Sequence, residues 1–121
     1  MINLTPLARL ILARRVKESL RWVDNCEQLQ RDLLAWLLKS ARGTQWGEKY
    51  QYGAISSYEE FAQRVPVNTY EDLSSWIMRQ LEGERDVLWR GRVNQFAQSS
   101  GTSNGKSKYI PITQEGLSGC H

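Results

Sequence analysis

Residues 99–108, Ser99-Ser100-Gly101-Thr102-Ser103-Asn104-Gly105-Lys106-Ser107-Lys108, hold five hydroxyls, two glycines and two lysines, and no apolar side chain. This mixture suits the binding of phosphate. Glycines let the backbone pass through positive φ and turn successive N–H groups onto one concave side, where they hold anionic oxygens. Hydroxyls add short donors and the lysines add charge. A Gly/Ser surface linker shares the small polar residues, but it does not need lysines and rarely separates two strand-like segments. The run comes close to a Walker A loop and misses it. That loop needs four residues between its first glycine and the Gly-Lys pair. Here Gly101 and Gly105-Lys106 leave three.

The flanking residues set the context in which such a loop would work. Downstream, Lys108-Tyr109-Ile110-Pro111-Ile112 favours a strand, and Pro111 would break a helix begun at Lys106. Upstream, residues 93–98 supply a strand with Val93, Gln95 and Ala97 on one face and Asn94, Phe96 and Gln98 on the other. The expected arrangement is strand, polar loop, strand. Thr113 is placed to cap a helix starting at Gln114.

The first half of the chain reads as helical. Leu12, Val16, Leu20 and Val23 recur at helical spacing, and Leu29, Leu33, Trp36 and Leu37 form a second stripe. Asn25, with Gln28 three residues on, is the expected cap between them, and Gly43 the expected stop. Ser57-Tyr58-Glu59-Glu60 and Thr69-Tyr70-Glu71-Asp72 each read as a capped helix start, the first continuing through Phe61 and the second through Leu73, Trp76 and Ile77 to Gly83. The neighbouring acids Glu59/Glu60 and Glu71/Asp72 could suggest acid and base catalysis. Adjacent positions point to different helix faces, so capping is the expected role of both pairs.

With these elements in place, the loop and its surroundings resemble a known family. Phe96-Ala97-Gln98-Ser99-Ser100-Gly101-Thr102-Ser103, followed by Lys108-Tyr109-Ile110-Pro111, is similar to the ATP phosphate-binding motif of the GH3 family of acyl-acid amido synthetases. That family belongs to the acyl-adenylate-forming superfamily, with acyl-CoA synthetases and luciferase. Val65-Pro66-Val67 with Thr69-Tyr70-Glu71-Asp72-Leu73 resembles a second family stretch, and Thr44-Gln45-Trp46-Gly47 leading to Ser57-Tyr58-Glu59-Glu60-Phe61 fits more loosely. The resemblance runs from about residue 27 to the end. Asn104 stands where the family often has Gly, and Ser107 where it often has Pro. Asn tolerates the left-handed conformation better than most residues.

The resemblance implies a two-step ligase. A carboxylic acid attacks the α-phosphate of ATP, giving an acyl-adenylate and pyrophosphate, and an amino acid amine then displaces AMP to form an amide. It implies that Ser99, Ser100, Gly101, Thr102, Ser103, Asn104, Gly105 and Lys108 hold the phosphates, with Lys108 offsetting charge as pyrophosphate departs, and that ATP and Mg2+ are required. It names no metal ligand in this chain, since phosphate oxygens and water hold Mg2+ in such sites. Catalytic residues, the adenine pocket and the acyl pocket are expected past His121, so this segment alone is expected to show little or no catalysis. An acyl-CoA ligase of the same superfamily is the alternative, using a thiol in place of the amine.

Length and composition bound the rest. At 121 residues the chain is one domain or part of one, whereas members of the resembled family are several times longer. The expected fold class is α/β: a helical N-terminal region over residues 1–90, then over 91–121 a strand, the phosphate loop, a strand and the start of a helix, which open the ATP-binding large domain. The remainder of the same polypeptide is then the main partner, beside the small-molecule acid and amine. The net charge of +3 is uneven, with +4 over residues 1–42 and −1 over the rest. A basic helix can serve a membrane surface, nucleic acid or an acidic partner, and a non-catalytic helical partner-binding module is the reading of another class. A solvated helix face is preferred here, with no nucleic-acid partner. Arg90-Gly91-Arg92 is read as a turn, and Val87-Leu88-Trp89 before it as a short extended segment. His121 is the sole histidine, which leaves no Ser-His or Cys-His pair except at the chain end. Cys26 and Cys120 lack metal or redox spacing, and reduced thiols in the cytoplasm are the expected state. No apolar run approaches the roughly 20 residues of a membrane span.

Overall fold

The computed structural model of the protein describes residues 5–99 and 107–119, apart from the side chains at positions 21, 22 and 24. Helix α1 runs over Thr5–Ala41, with non-helical angles at Asn25 (φ −132°, ψ 25°). The break falls on the residue expected as a cap. Asn is a weak helix former that readily takes non-helical angles, in keeping with a break at this position. Residues 1–35 and 36–121 form two compact units. Within the first unit the Leu12, Val16, Leu20 and Val23 stripe is exposed, Val23 at 77%. Exposed ion pairs line the same helix, Arg14 Nε to Glu18 Oε1 at 3.3 Å and Arg31 Nη1 to Glu27 Oε2 at 3.4 Å. Such i,i+4 pairs contribute only about 0.3–0.5 kcal/mol each.

The second unit carries the core: Leu38, Ala41, Trp46, Ile55, Ile77, Val87 and Val93, with Val87 fully buried. The chain turns out of α1 at Arg42-Gly43 into helix α2 (Gln45–Lys49), capped by Thr44, whose Oγ1 accepts from Gly47 N at 3.0 Å and donates to Ala41 O at 2.7 Å. Gly47 packs against the end of α1 so closely that a Cβ there would lie 2.0 Å from Ala41 O. The amides of Gln45 and Trp46 donate to the carbonyls of Asp86 and Val87 at 2.8 and 3.0 Å, tying α2 to the segment that precedes the sheet. Four of the five tryptophans meet in pairs, of which only Trp46 is itself buried and Trp36 stays exposed. Trp46 meets Trp76 edge-on at 5.2 Å, and Trp36 meets Trp89 at 5.7 Å.

A short 3-10 turn (Tyr52–Ala54) leads to helix α3 (Tyr58–Arg64), then helix α4 (Tyr70–Leu81). Thr69 and Asp72 make the full reciprocal capping box of α4, with Thr69 N donating to Asp72 Oδ2 at 2.8 Å. The box at α3 differs from expectation by one residue. Ser57 Oγ accepts from Glu60 N as expected, but Glu60 Oε2 accepts from the amide and hydroxyl of Ser56, at 2.7 and 3.0 Å. The Ser56 amide donates to the carboxylate and holds it below the usual carboxylate pKa.

Residues 87–89 form bends and no strand, because residues 86–91 close a turn: Asp86 N donates to Gly91 O at 2.9 Å and Gly91 N to Asp86 Oδ1 at 2.5 Å. Asp86 (φ 55°) and Gly91 (φ 77°) both adopt the left-handed conformation that this turn requires. The expected turn at Arg90-Gly91-Arg92 is therefore present, and the extended segment before it is not. Strands β1 (Gln95–Gln98) and β2 (Tyr109–Ile112) then pair antiparallel, and helix α5 (Gln114–Gly119) follows, capped by Thr113 Oγ1 accepting from Gly116 N at 3.0 Å. The described elements thus run from a helical region into two paired strands and a final short helix.

Candidate functional site

The hairpin register places Gln95 opposite Ile112, Phe96 opposite Pro111, Ala97 opposite Ile110 and Gln98 opposite Tyr109. One step further, Ser99 N donates to Lys108 O at 2.9 Å, so Ser99 and Lys108 are a hydrogen-bonded pair at the neck of the loop. Antiparallel pairs alternate between bonded and non-bonded. Counting from the neck, Gln98/Tyr109 and Phe96/Pro111 are non-bonded pairs, whose amides face away from the partner strand. Pro111 therefore removes no ladder donor, which is how a proline is accommodated inside β2.

The same alternation sends the Tyr109 amide outward, where it meets α4. Tyr109 N donates to the Tyr70 hydroxyl at 2.8 Å. Tyr70 opens α4, and its position is fixed by the capping box immediately before it. The Lys108 Nζ lies 4.9 Å from the centre of the Tyr70 ring and 3.5 Å from Glu71 Oε1. The Glu71 carboxyl is held below its ordinary pKa first by its own backbone amide and then by the Lys108 charge. The start of α4 thus holds the outgoing arm of the loop through the backbone of β2 and makes a weaker, exposed contact with the side chain of Lys108.

Of the residues singled out in the sequence, Ser99 and Lys108 are brought side by side. Lys108 N also donates to Ser99 Oγ at 3.3 Å. Ser100, Gly101, Thr102, Ser103, Asn104 and Gly105 lie outside the described residues. Among the described residues no group of three or more His, Cys, Asp or Glu could hold a metal ion, and no helix is long and apolar enough to cross a membrane. A cleft of about 190 Å³ lined by Arg90, Arg92, Gln95, Ile112 and Glu115, among others, contains none of the described phosphate-loop candidates, Ser99 and Lys108. Arg90 Nη2 and Glu115 Oε1 pair across it at 2.9 Å, and Arg90 holds the Glu115 carboxyl below its ordinary pKa.

Sequence reasoning missed Tyr70 and Glu71. It gave the Glu71/Asp72 pair a capping role: Asp72 completes the capping box, while Glu71, whose carboxylate accepts from its own first-turn amide, also pairs with Lys108. The signal was the tyrosine and acid at the first two helical positions, but the 39-residue separation of Tyr70 from Tyr109 is invisible without the fold.

Comparison with known proteins gives a consistent result. The GH3 family N-terminal domain matches residues 15–121. The chain is 31% identical over 105 residues to a probable indole-3-acetic acid-amido synthetase, GH3.1 of Arabidopsis thaliana, covering 83% of this chain and 18% of that protein. It is 35% identical over 95 residues to the indole-3-acetic acid-amido synthetase GH3.17 of the same plant, covering 77% of this chain and 16% of the relative. Among solved structures, the GH3.15 acyl acid amido synthetase matches with a TM-score of 0.66 at 34% identity, over 79% of this chain and 17% of that one. The chain spans less than a fifth of the length of these relatives.

Proposed function

The chain belongs to the GH3 family, and on that premise we propose that it forms the N-terminal part of a longer ATP-dependent ligase that joins a carboxylic acid to the amine of an amino acid. Bound MgATP supplies the activation: its α-phosphorus takes the carboxylate, pyrophosphate leaves, and the acyl-adenylate is then open to an amine that displaces AMP. The part of this chain is to hold the phosphates. Ser99, Ser100, Thr102 and Ser103 offer hydroxyls, Gly101, Asn104 and Gly105 let the backbone N–H groups converge, and Lys108 places an ammonium where charge builds up on the leaving group. Fixed donors of this kind act without reorganising as the charge develops.

The observation that supports this reading most directly is the closed neck. Ser99 and Lys108 are cross-bonded, and Tyr70 pins the strand beside them, so the first and last phosphate-facing residues of the loop start from fixed backbone positions. The donor set, hydroxyls and an ammonium, suits the phosphates of ATP. Mg2+ would be held by phosphate oxygens and water, as is usual for this ion. On this reading the exposed apolar stripe of α1 packs against the remainder of the ligase, and the protein works in the cytoplasm. The curated relatives are named for indole-3-acetic acid. For this chain the proposal is the broader class, a small carboxylic acid, since the acid-selecting pocket is expected past His121.

The test is product analysis on the full-length protein. Incubation with MgATP, a panel of carboxylic acids and a mixture of amino acids is expected to yield AMP, pyrophosphate and an amide, detected by mass spectrometry. A thioester formed only when coenzyme A is added would instead make the protein an acyl-CoA ligase.

A further inference from the structure

Among the described residues the Lys108 ammonium meets two side chains, and both belong to the first turn of α4. Its Nζ is 3.5 Å from Glu71 Oε1 and 4.9 Å from the centre of the Tyr70 ring. The backbone beneath it is fixed at three points, by Ser99 N to Lys108 O, Lys108 N to Ser99 Oγ, and Tyr109 N to the Tyr70 hydroxyl. Only the flexible four-carbon stem is free to choose a partner. The Lys108 and Glu71 side chains are 41% and 69% exposed, so the pair is of the weak, solvated kind. A polyphosphate carries several charges and strong acceptor oxygens, and its hydrogen bonds with an ammonium are of the stronger charge-assisted kind.

We propose that Glu71 is a competing seat for the Lys108 ammonium, holding it on the first turn of α4 until the phosphates of MgATP take it over. The proposal rests on the reading of Lys108 as a phosphate contact. Glu71 then acts against nucleotide binding in two ways of the same sign: it occupies the lysine, and its own carboxylate repels the incoming phosphates. It touches neither acid nor amine, and its hold on Lys108 ends once the ammonium has moved to the phosphates. Its effect falls on the occupancy of the nucleotide site and leaves the rate at saturation alone.

The test is a double-mutant cycle on the full-length ligase, with MgATP as the probe, using Glu71→Gln, Lys108→Ala and the double variant. Gln keeps the size of the side chain and removes only the charge. Glu71→Gln is expected to lower the KM for MgATP by about threefold, the scale of an exposed ion pair, with kcat unchanged. In the Lys108→Ala background the same substitution is expected to lose most of that gain. A residue that merely supported the fold would do the opposite, raising KM or lowering the unfolding temperature when replaced. If Lys108→Ala impairs the enzyme while Glu71→Gln leaves KM unchanged or raises it, the seat is refuted and the phosphate role of Lys108 stands. If Lys108→Ala is itself without effect, both are refuted.

Discussion

Replacing Tyr70 by Phe removes one oxygen and nothing else. The ring stays beneath the Lys108 ammonium, and the loss is confined to the 2.8 Å hydrogen bond from Tyr109 N. A neutral hydrogen bond of this kind contributes about 0.5–1.5 kcal/mol net, and more when its removal strands a donor away from water. Tyr109 is half-buried, and its amide faces away from β1, so no strand carbonyl is available to replace the hydroxyl. The expected cost is therefore at the upper end, about 1.4 kcal/mol, or a tenfold change in local opening. Amide hydrogen exchange read residue by residue by NMR is the assay. Tyr109 in the Tyr70→Phe variant should exchange about tenfold faster than in the parent. Ile110, whose amide belongs to a bonded pair with Ala97, should change by less than about threefold. Equal exchange at Tyr109 in the two proteins would refute the claim that α4 pins the neck of the loop.

Other outcomes follow from the same contacts. Gly47→Ala puts a Cβ 2.0 Å from Ala41 O, so α2 must shift off the end of α1, and urea denaturation should show a loss of about 2 kcal/mol or more. Thr69→Ala removes the cap of α4 and should cost about 1–2 kcal/mol, with Thr69→Ser restoring most of it. Glu84 accepts from Arg79 Nε at 2.7 Å and from Gln45 Nε2 at 2.8 Å, and these bonds push its pKa down to about 2. The folded value lies below the unfolded one, so this contribution is complete above the unfolded value of about 4.3 and is lost as pH falls through about 2. Thermal unfolding followed from about pH 5 to pH 2 should show a shallower decline in Arg79→Met than in the parent.

How much was legible in the sequence depended on how far apart in the chain the interacting groups lie. Caps are local, and Ser57, Thr69 and Thr113, read as caps in the sequence, all cap helices in the structure. Asn25 marks the break in α1, a position that its low helix propensity signals locally. Where local chemistry offered two donors side by side, the sequence could not choose, and Glu60 took Ser56 in place of Ser57 as its partner. The misread segment 87–89 looks extended because Val, Leu and Trp suit strands. The left-handed residues Asp86 and Gly91 close a turn around it instead, and its fully buried Val87 fills the core.

At the candidate site the two strands were readable from proline placement and alternation. The support from α4 was not, because nothing in Thr69-Tyr70-Glu71-Asp72 states which element that turn will face. Helix-dipole and capping arguments account for an acid at position 71 without needing Lys108. The sequence thus explained Glu71 sufficiently for one role and hid the other. Similarly, apolar spacing revealed the stripe on α1 but not that it would be exposed in this chain, since spacing reports a face and says nothing of what covers it.

The central claim is that the loop from Ser99 to Lys108 holds the phosphates of ATP while a carboxylic acid is activated. Exchange of labelled pyrophosphate into ATP by the full-length protein tests it most directly, because it reports the first step without needing the amine. The account predicts exchange that requires a carboxylic acid and Mg2+, and that falls at least tenfold in Lys108→Ala with the unfolding temperature unchanged, the scale of a lost charge-assisted contact. Exchange that persists undiminished in Lys108→Ala, or no exchange with any acid in a broad panel, would contradict it.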